Sequence, residues 1–253
     1  MGNLRGGAEM ALVSDLPVKL KIVVAEFPKS GGSWLSSMLA KSLGIAVRDI
    51  YVNDGFKLFD ISKHPWYEGS TSYGLSESCV IKSHEMPDSK LHELDARFIH
   101  MIRDGRDVTI SKYFYEKDFC VKNGIIKEFS YSLDEYIEKT AAEWAGYVSA
   151  WEGRSIITSK YEDLLQAPLN ELKRVLSLLN LSVTKDAIEA AIEANTKEKF
   201  SRSLDKAFKH NTFVRKGIAG DWKNHFSEKH KTIFKRNAGE LLIRLGYETD
   251  LDW

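Results

Sequence analysis

Four short apolar runs constrain this chain more than any other feature. They are KIVVAEF at 21–27, SCVIKS at 78–83, RFIHMIR at 97–103 and SIITSKY at 155–161. Each has strand length and reads as a buried strand. Between and after them the apolar residues change to helical spacing. Leu133, Tyr136, Ile137, Thr140, Ala141, Trp144, Tyr147, Val148 and Trp151 keep one stripe, and so do Leu172, Val175, Leu176 and Leu179. A third stripe, Phe234, Ala238, Leu241, Leu242 and Leu245, stops at Gly246, a plausible helix end. Strands separated by helices imply an α/β fold with a central parallel sheet flanked by helices. The 253 residues suit one large domain, expected over 19–253 after an N-terminal tail at 1–18.

Charge and cysteine usage exclude several function classes. Lysine plus arginine number 36 and aspartate plus glutamate 36, so no net field draws nucleic acid or an anionic membrane. Any anion site must be local. No stripe of basic and aromatic residues indicates nucleic-acid binding. Cys79 and Cys120 are too far apart for a CxxC metal clip and suit a reducing, cytoplasmic setting. The start MGNLRGGAEMALVSDLP lacks a continuous apolar stretch, and no apolar run approaches spanning length, which predicts a soluble protein. Gly6 stands where a myristoylation signal wants Ser or Thr. The segments 51–77, 117–130 and 197–221 lack periodicity and read as long loops, where function concentrates.

The stretch FPKSGGSW, residues 27–34, links the first apolar run to LSSMLAKSLG. A strand, a turn of small residues and a helix start would aim backbone N–H groups at one point, where an anion binds. Glycines let the backbone approach it, serine hydroxyls add donors, and Lys29 adds a charge that reaches a phosphate oxygen. An ordinary strand-to-helix turn has the same outline. Neither GxxxxGK[ST] nor GxGxxG occurs, and the lysine precedes the glycines, so a phosphate would be held differently from that of a nucleoside triphosphate.

Two further stretches, IRDGRDVTISKYFY at 102–115 and VRKGIAGDWKNHF at 214–226, decide between these readings. Together with FPKSGGSW they resemble the three motifs of the cytosolic-type sulfotransferases: a YPKSGTTW-like turn, an arginine followed eight residues later by a serine, and RKGxxGDWKNxF. Arg103 and Ser111 keep the spacing of the second. Arg215, Lys216, Gly217, Gly220, Asp221, Trp222, Lys223, Asn224 and Phe226 match the third. The motifs fall in family order over nearly the whole chain. The resemblance implies 3′-phosphoadenosine-5′-phosphosulfate (PAPS) as donor, its product 3′-phosphoadenosine-5′-phosphate (PAP), and no metal.

Site roles follow from the resemblance residue by residue. Lys29 would stabilise charge growing on the departing phosphate. Ser30, Gly31, Gly32 and Ser33 would hold the 5′-phosphate, with one hydroxyl fewer than the family's Thr-Thr because position 32 is glycine. His84, in KSHEMP at a strand end, is similar to the KTH segment that carries the family's general base, a task suited to a near-neutral pKa. Lys82, two residues earlier, would face the same side and contact the sulfuryl oxygens. Arg103, Ser111, Arg215, Lys216 and Gly217 would read the 3′-phosphate. Ser111 also stands among the catalytic candidates. Trp34 and Tyr161 would bind adenine, with Thr196 and Phe200 as weaker candidates for the other side of the ring. Trp222 would pack beneath the 3′-phosphate loop. Asp104 and Asp107 read as carboxylates at a helix N-terminus, and His100 as packed in the sheet.

The acceptor is read only by class: a hydroxyl, or alternatively an amine, on a small molecule or glycan. Phe56, Phe59, Trp66, Tyr67 and Tyr73, with Tyr115 and Phe119, are candidates to shape its pocket. The family's dimer motif KxxxTVxxxE is not kept, since Lys223 is followed by Ser227, Glu228 and finally Thr232. Monomer and dimer therefore both remain open. The length suggests a bacterial enzyme of specialised metabolism or glycan tailoring. Two other classes stay open: a PAPS- or PAP-binding module without turnover, and a P-loop kinase of small molecules.

Overall fold

A computed structural model describes residues 19–49, 78–89, 94–154, 156–205 and 213–253. The expected tail at 1–18, all of the 51–77 loop with its aromatics, and His64, His92 and His210 lie outside the described residues.

All four apolar runs form strands: β1 (Lys21–Glu26), β3 (Cys79–Ser83), β4 (Arg97–Ile102) and β5 (Ile157–Lys160). A further strand, β2 (Ala46–Asp49), pairs at one edge, and its short, charged sequence AVRD gave no strand signal. The order is β2-β3-β1-β4-β5, and every pairing is parallel. The chain passes from β3 on one side of β1 to β4 on the other. Such a reversal opens a crevice beyond the carboxyl ends of the strands. The register aligns Ala25 with Ser83 and Glu26 with Met101, so β1, β3 and β4 end side by side.

Helices cover both faces. On one side α1 (Gly32–Leu43), α4 (Tyr161–Gln166), α5 (Pro168–Leu178) and α6 (Lys185–Ala194) pack Leu35, Leu39, Leu164, Leu172, Leu176 and Ile188 against Ile22 and Val24. On the other, α2 (Gly105–Phe114), α3 (Leu133–Trp151) and α8 (Glu228–Arg244) bring Val108, Ile137, Trp144, Phe234 and Leu242 against Ala25 and Ile102. The apolar stripe of α3 is the core of this layer, and Tyr136, Trp144, Tyr147 and Trp151 are buried. Ser132 and Glu135 form a capping box at its start.

Two segments read as loops are partly helical. The 117–130 segment begins inside a π-helical turn, Tyr115–Cys120, which continues α2. The 197–221 segment begins with α7 (Lys197–Asp205), a mostly charged stretch without a full apolar stripe.

The seating of α2 on α3 depends on Gly105. A Cβ there would meet the Trp144 ring at 2.5–2.8 Å, and that ring is fully buried. Gly105→Ala is expected to destabilise the fold by about 1–3 kcal/mol through overpacking. Urea unfolding followed by tryptophan fluorescence measures this, and an unchanged midpoint would mean that α2 can shift without cost.

Candidate active site

The FPKSGGSW turn leaves the sheet after Glu26. Lys29 has a positive φ of 77° and Gly31 one of 99°, backbone that glycine adopts freely and lysine does not. Gly31 N-caps α1, and a Cβ on it would lie 2.6 Å from the Tyr161 ring. Two amides expected to face an anion are engaged. Ser30 N–H donates to the Phe27 carbonyl at 3.1 Å, and Gly32 N–H donates to the Glu26 carboxylate. Among the described residues, the buried Ser30 hydroxyl has no hydrogen-bond partner.

The Lys29 ammonium is buried at the mouth of this turn. It donates to the Phe213 carbonyl at 3.2 Å and lies 3.8 Å and 4.2 Å from the ring centres of Phe213 and Tyr115. Burial pushes its pKa down to about 7, against the favourable charge of Glu26 and with the repulsion of Lys82 and Arg103.

The end of β3 brings Lys82 and His84 to the same cavity. His84 Nδ1 lies 2.9 Å from the Glu26 carbonyl. A carbonyl oxygen only accepts, so Nδ1 carries the proton and Nε2 the basic lone pair. Burial, and then the nearby Lys82, hold the His84 pKa well below its ordinary value, so the ring is neutral at physiological pH. His100, by contrast, stacks on Trp151 within the core at 5.6 Å between ring centres, and burial lowers its pKa to about 3.

Arg103 follows β4. Its guanidinium donates to the carbonyls of Lys29 at 3.3 Å and Ile218 at 2.9 Å, pairs with Asp107 at 3.7 Å, and lies 4.3 Å from the Tyr161 ring centre. It thereby joins the first and third motif stretches. Asp104 N-caps α2 through Arg106 N–H, as expected of an N-terminal carboxylate. Asp107 does more, accepting from Gly220 N–H at 2.6 Å and Trp222 N–H at 2.9 Å, and so fastens the RKGIAGDW loop onto α2. Asp221 gathers the cations of that loop: Lys216 at 2.6 Å, Arg215, and the amide of Asn224 at 3.0 Å. Burial alone would raise the Asp221 pKa, but these partners hold it well below the carboxylate range. Trp222 is buried under the Arg106 guanidinium, 4.0 Å from its ring centre.

One cavity of about 220 Å³ collects most of the expected residues. The turn contributes Lys29, Gly31, Ser33 and Trp34; β3 leads to Lys82 and His84; β4 and α2 supply Arg103 and Ser111; α4 gives Tyr161; and the third stretch gives Arg215, Lys216 and Gly217. Trp34 is held by its Nε1–H donating to the Asn195 carbonyl at 2.7 Å, with Tyr161 6.1 Å away between ring centres. Ser30, Gly32 and Thr196 do not line the cavity, and the Thr196 hydroxyl accepts from Lys199 N–H at 3.4 Å at the start of α7. Lys197 and Phe200, one residue and one helical turn further on, line the cavity in its place. Sequence reasoning missed Glu26 altogether, read Asp107 only as a helix N-terminal carboxylate, and named Asp221 only as part of the third motif. The last belongs to the RKGxxGDW stretch, but nothing in the sequence gave its partners.

The comparisons with known proteins agree with this geometry. A family model described as a sulfotransferase domain matches residues 19–246. Sulfotransferase 1B1 of Mus musculus is 26% identical, covering 85% of this chain and 81% of that protein. Cytosolic sulfotransferase 8 of Arabidopsis thaliana is 23% identical, covering 83% and 73%. Among solved structures, mouse sulfotransferase SULT7A1 complexed with PAP shares the fold, with a TM-score of 0.66 and 17% identity over 88% of this chain and 86% of that one. Among the described residues, no helix is long and apolar enough to cross a membrane. The helix-covered parallel sheet, the cavity at its carboxyl edge and the family match lead to one conclusion: this chain belongs to the sulfotransferase family and is a PAPS-dependent sulfotransferase.

Proposed function

We propose that the cavity transfers a sulfuryl group from PAPS to a hydroxyl of a small-molecule or glycan acceptor, with His84 as general base. The observation that carries this reading is the meeting of Lys29, Lys82, His84 and Arg103 at the aligned ends of β1, β3 and β4. His84 Nε2 takes the acceptor proton as the acceptor oxygen bonds to sulfur. The bond from sulfur to the 5′-phosphate oxygen breaks, and Lys29 offsets the charge that collects there. Lys82 faces the sulfuryl oxygens. Arg103, Ser111, Arg215, Lys216 and the Gly217 backbone bind the 3′-phosphate, while Ser33 and Gly31 meet the 5′ end and Trp34 and Tyr161 flank adenine.

Several observations support these roles. The neutral, Nδ1-protonated His84 is the tautomer a base requires. Arg215 and Lys216 share an anion, the Asp221 carboxylate. The solved mouse relative holds PAP, the product this reading assigns here. The aromatic rings of Tyr115 and Phe213 beside Lys29 favour an acceptor with an apolar body next to its hydroxyl. Burial of both cysteines and the cytosolic relatives favour a cytoplasmic enzyme. Family membership removes the ground for a small-molecule kinase.

Three outcomes are expected. His84→Ala lowers turnover roughly a hundred- to ten-thousandfold while PAP affinity by calorimetry stays close to wild type; full turnover would remove His84 as base. The wild type binds PAP more tightly than 5′-AMP, and Arg103→Ala narrows that gap roughly ten- to hundredfold; an unchanged gap would exclude Arg103 from the 3′-phosphate site. The Lys29 pKa of about 7 gives the third. The ammonium, present below that value, is lost above it, so kcat/KM for the donor falls as pH rises through about 7. A profile still rising to pH 8.5 would mean that donor capture does not need this charge.

A further inference from the structure

Glu26 occupies a place where a carboxylate is unexpected. It ends β1, is 2% exposed, and lies on the wall of a cavity assigned to a polyanionic donor. Its carboxylate accepts from Gly32 N–H, at the start of the 12-residue helix α1. Its carbonyl meanwhile accepts from His84 Nδ1–H. The room it uses is the room of an absent side chain, for a Cβ on Gly32 would lie 2.6 Å from Glu26 Cδ and 2.9 Å from Cγ and Oε1. Position 32 therefore carries no side chain in order to admit the Glu26 carboxylate. The sequence alone presented this glycine as one of the turn residues that would hold the 5′-phosphate, with one hydroxyl fewer.

We propose that Glu26 is a positioning residue of the donor site, the resident counter-anion of the phosphate turn, which the 5′-phosphate group of the donor must work against. This rests on the donor-site reading above. The charged groups around the carboxylate explain why an anion sits there. Lys29 is buried with Lys82 and Arg103 near it, and the first turn of α1 adds partial positive charge. Burial strips hydration from these cations; Asp107 pairs with Arg103, and the Glu26 charge stabilises the Lys29 ammonium. Glu26 offsets them until the donor arrives, and afterwards repels the 5′-phosphate of PAP, which favours product release.

The test compares PAP with adenosine 3′-phosphate, which lacks the 5′-phosphate, by calorimetry at pH 6, where the wild-type Lys29 is charged. Glu26→Gln keeps an acceptor oxygen for Gly32 N–H and removes the charge. It is expected to tighten PAP binding about tenfold or more and to leave adenosine 3′-phosphate unchanged. A purely structural role would move both ligands together or neither, and either result would overturn the proposal. Gly32→Ala supplies a second reading that does not depend on charge. With Glu26 present it should weaken PAP binding at least about tenfold, and with Glu26→Ala added it should recover, a strongly non-additive cycle. Additive effects would refute the pairing of positions 26 and 32. Failure of the wild type to prefer PAP over adenosine 3′-phosphate would strike the 5′-phosphate site itself, so the two readings fail separately.

Discussion

The parallel pairing of β1 with both β3 and β4 is the constraint on which the rest depends. It places Glu26, Ser83 and Ile102 at a common edge, so that the segments leaving the sheet there, 27–34, 84–89 and 103–111, start within reach of one another. Backbone hydrogen bonds fix this register, and apolar burial on both faces fixes which side chains point to which layer. A one-residue slip of β3 would turn Lys82 to the opposite face and separate it from Lys29. The chemistry at the edge thus inherits its precision from a core that has no part in it.

On that edge the electrostatics follow one pattern. The chain has no net charge, yet the site concentrates Lys29, Lys82, Arg103, Arg215 and Lys216. Among the described residues, three buried carboxylates answer them: Glu26 beside the turn, Asp107 beneath Arg103, and Asp221 between Arg215 and Lys216. Each also ties down backbone or amide groups, which positions the cations as well as offsetting them. Desolvated cations without partners would shift to the neutral form, as the lowered pKa of Lys29 shows in part. The cations of the site are therefore held in place by carboxylates of the protein itself.

Legibility of the fold tracked the strength of local patterns. β1, β3, β4, α3 and α8 were readable because long apolar runs and helical stripes reflect burial directly. β2 was not, because four residues at a sheet edge, with Val47 40% exposed, carry little apolar signal. α7 was missed because its charged sequence offers no full stripe, and the π-helical turn because a tight search for 3.6-residue spacing does not register i to i+5 bonding. In the site, Lys29, His84, Arg103, Ser111 and the Arg215–Gly217 stretch could be named from motif order. Thr196 could not be distinguished from Lys197 or Phe200, since one residue of offset at a helix start changes which side chain faces the cavity.

The sequence by itself determined four of the five strands of the described sheet, the main amphipathic helices and most of the cations and the histidine that line the cavity, because each is encoded by spacing along a short stretch. Only the tertiary structure decided which carboxylate meets which cation or amide. Asp107 finds the Gly220 amide 113 residues away, and Glu26 finds the room left by Gly32 because the turn folds back over the end of β1. Those pairings are settled by the geometry of the strand ends and by the cost of burying an unmatched charge. Neither is written in any local run of residues.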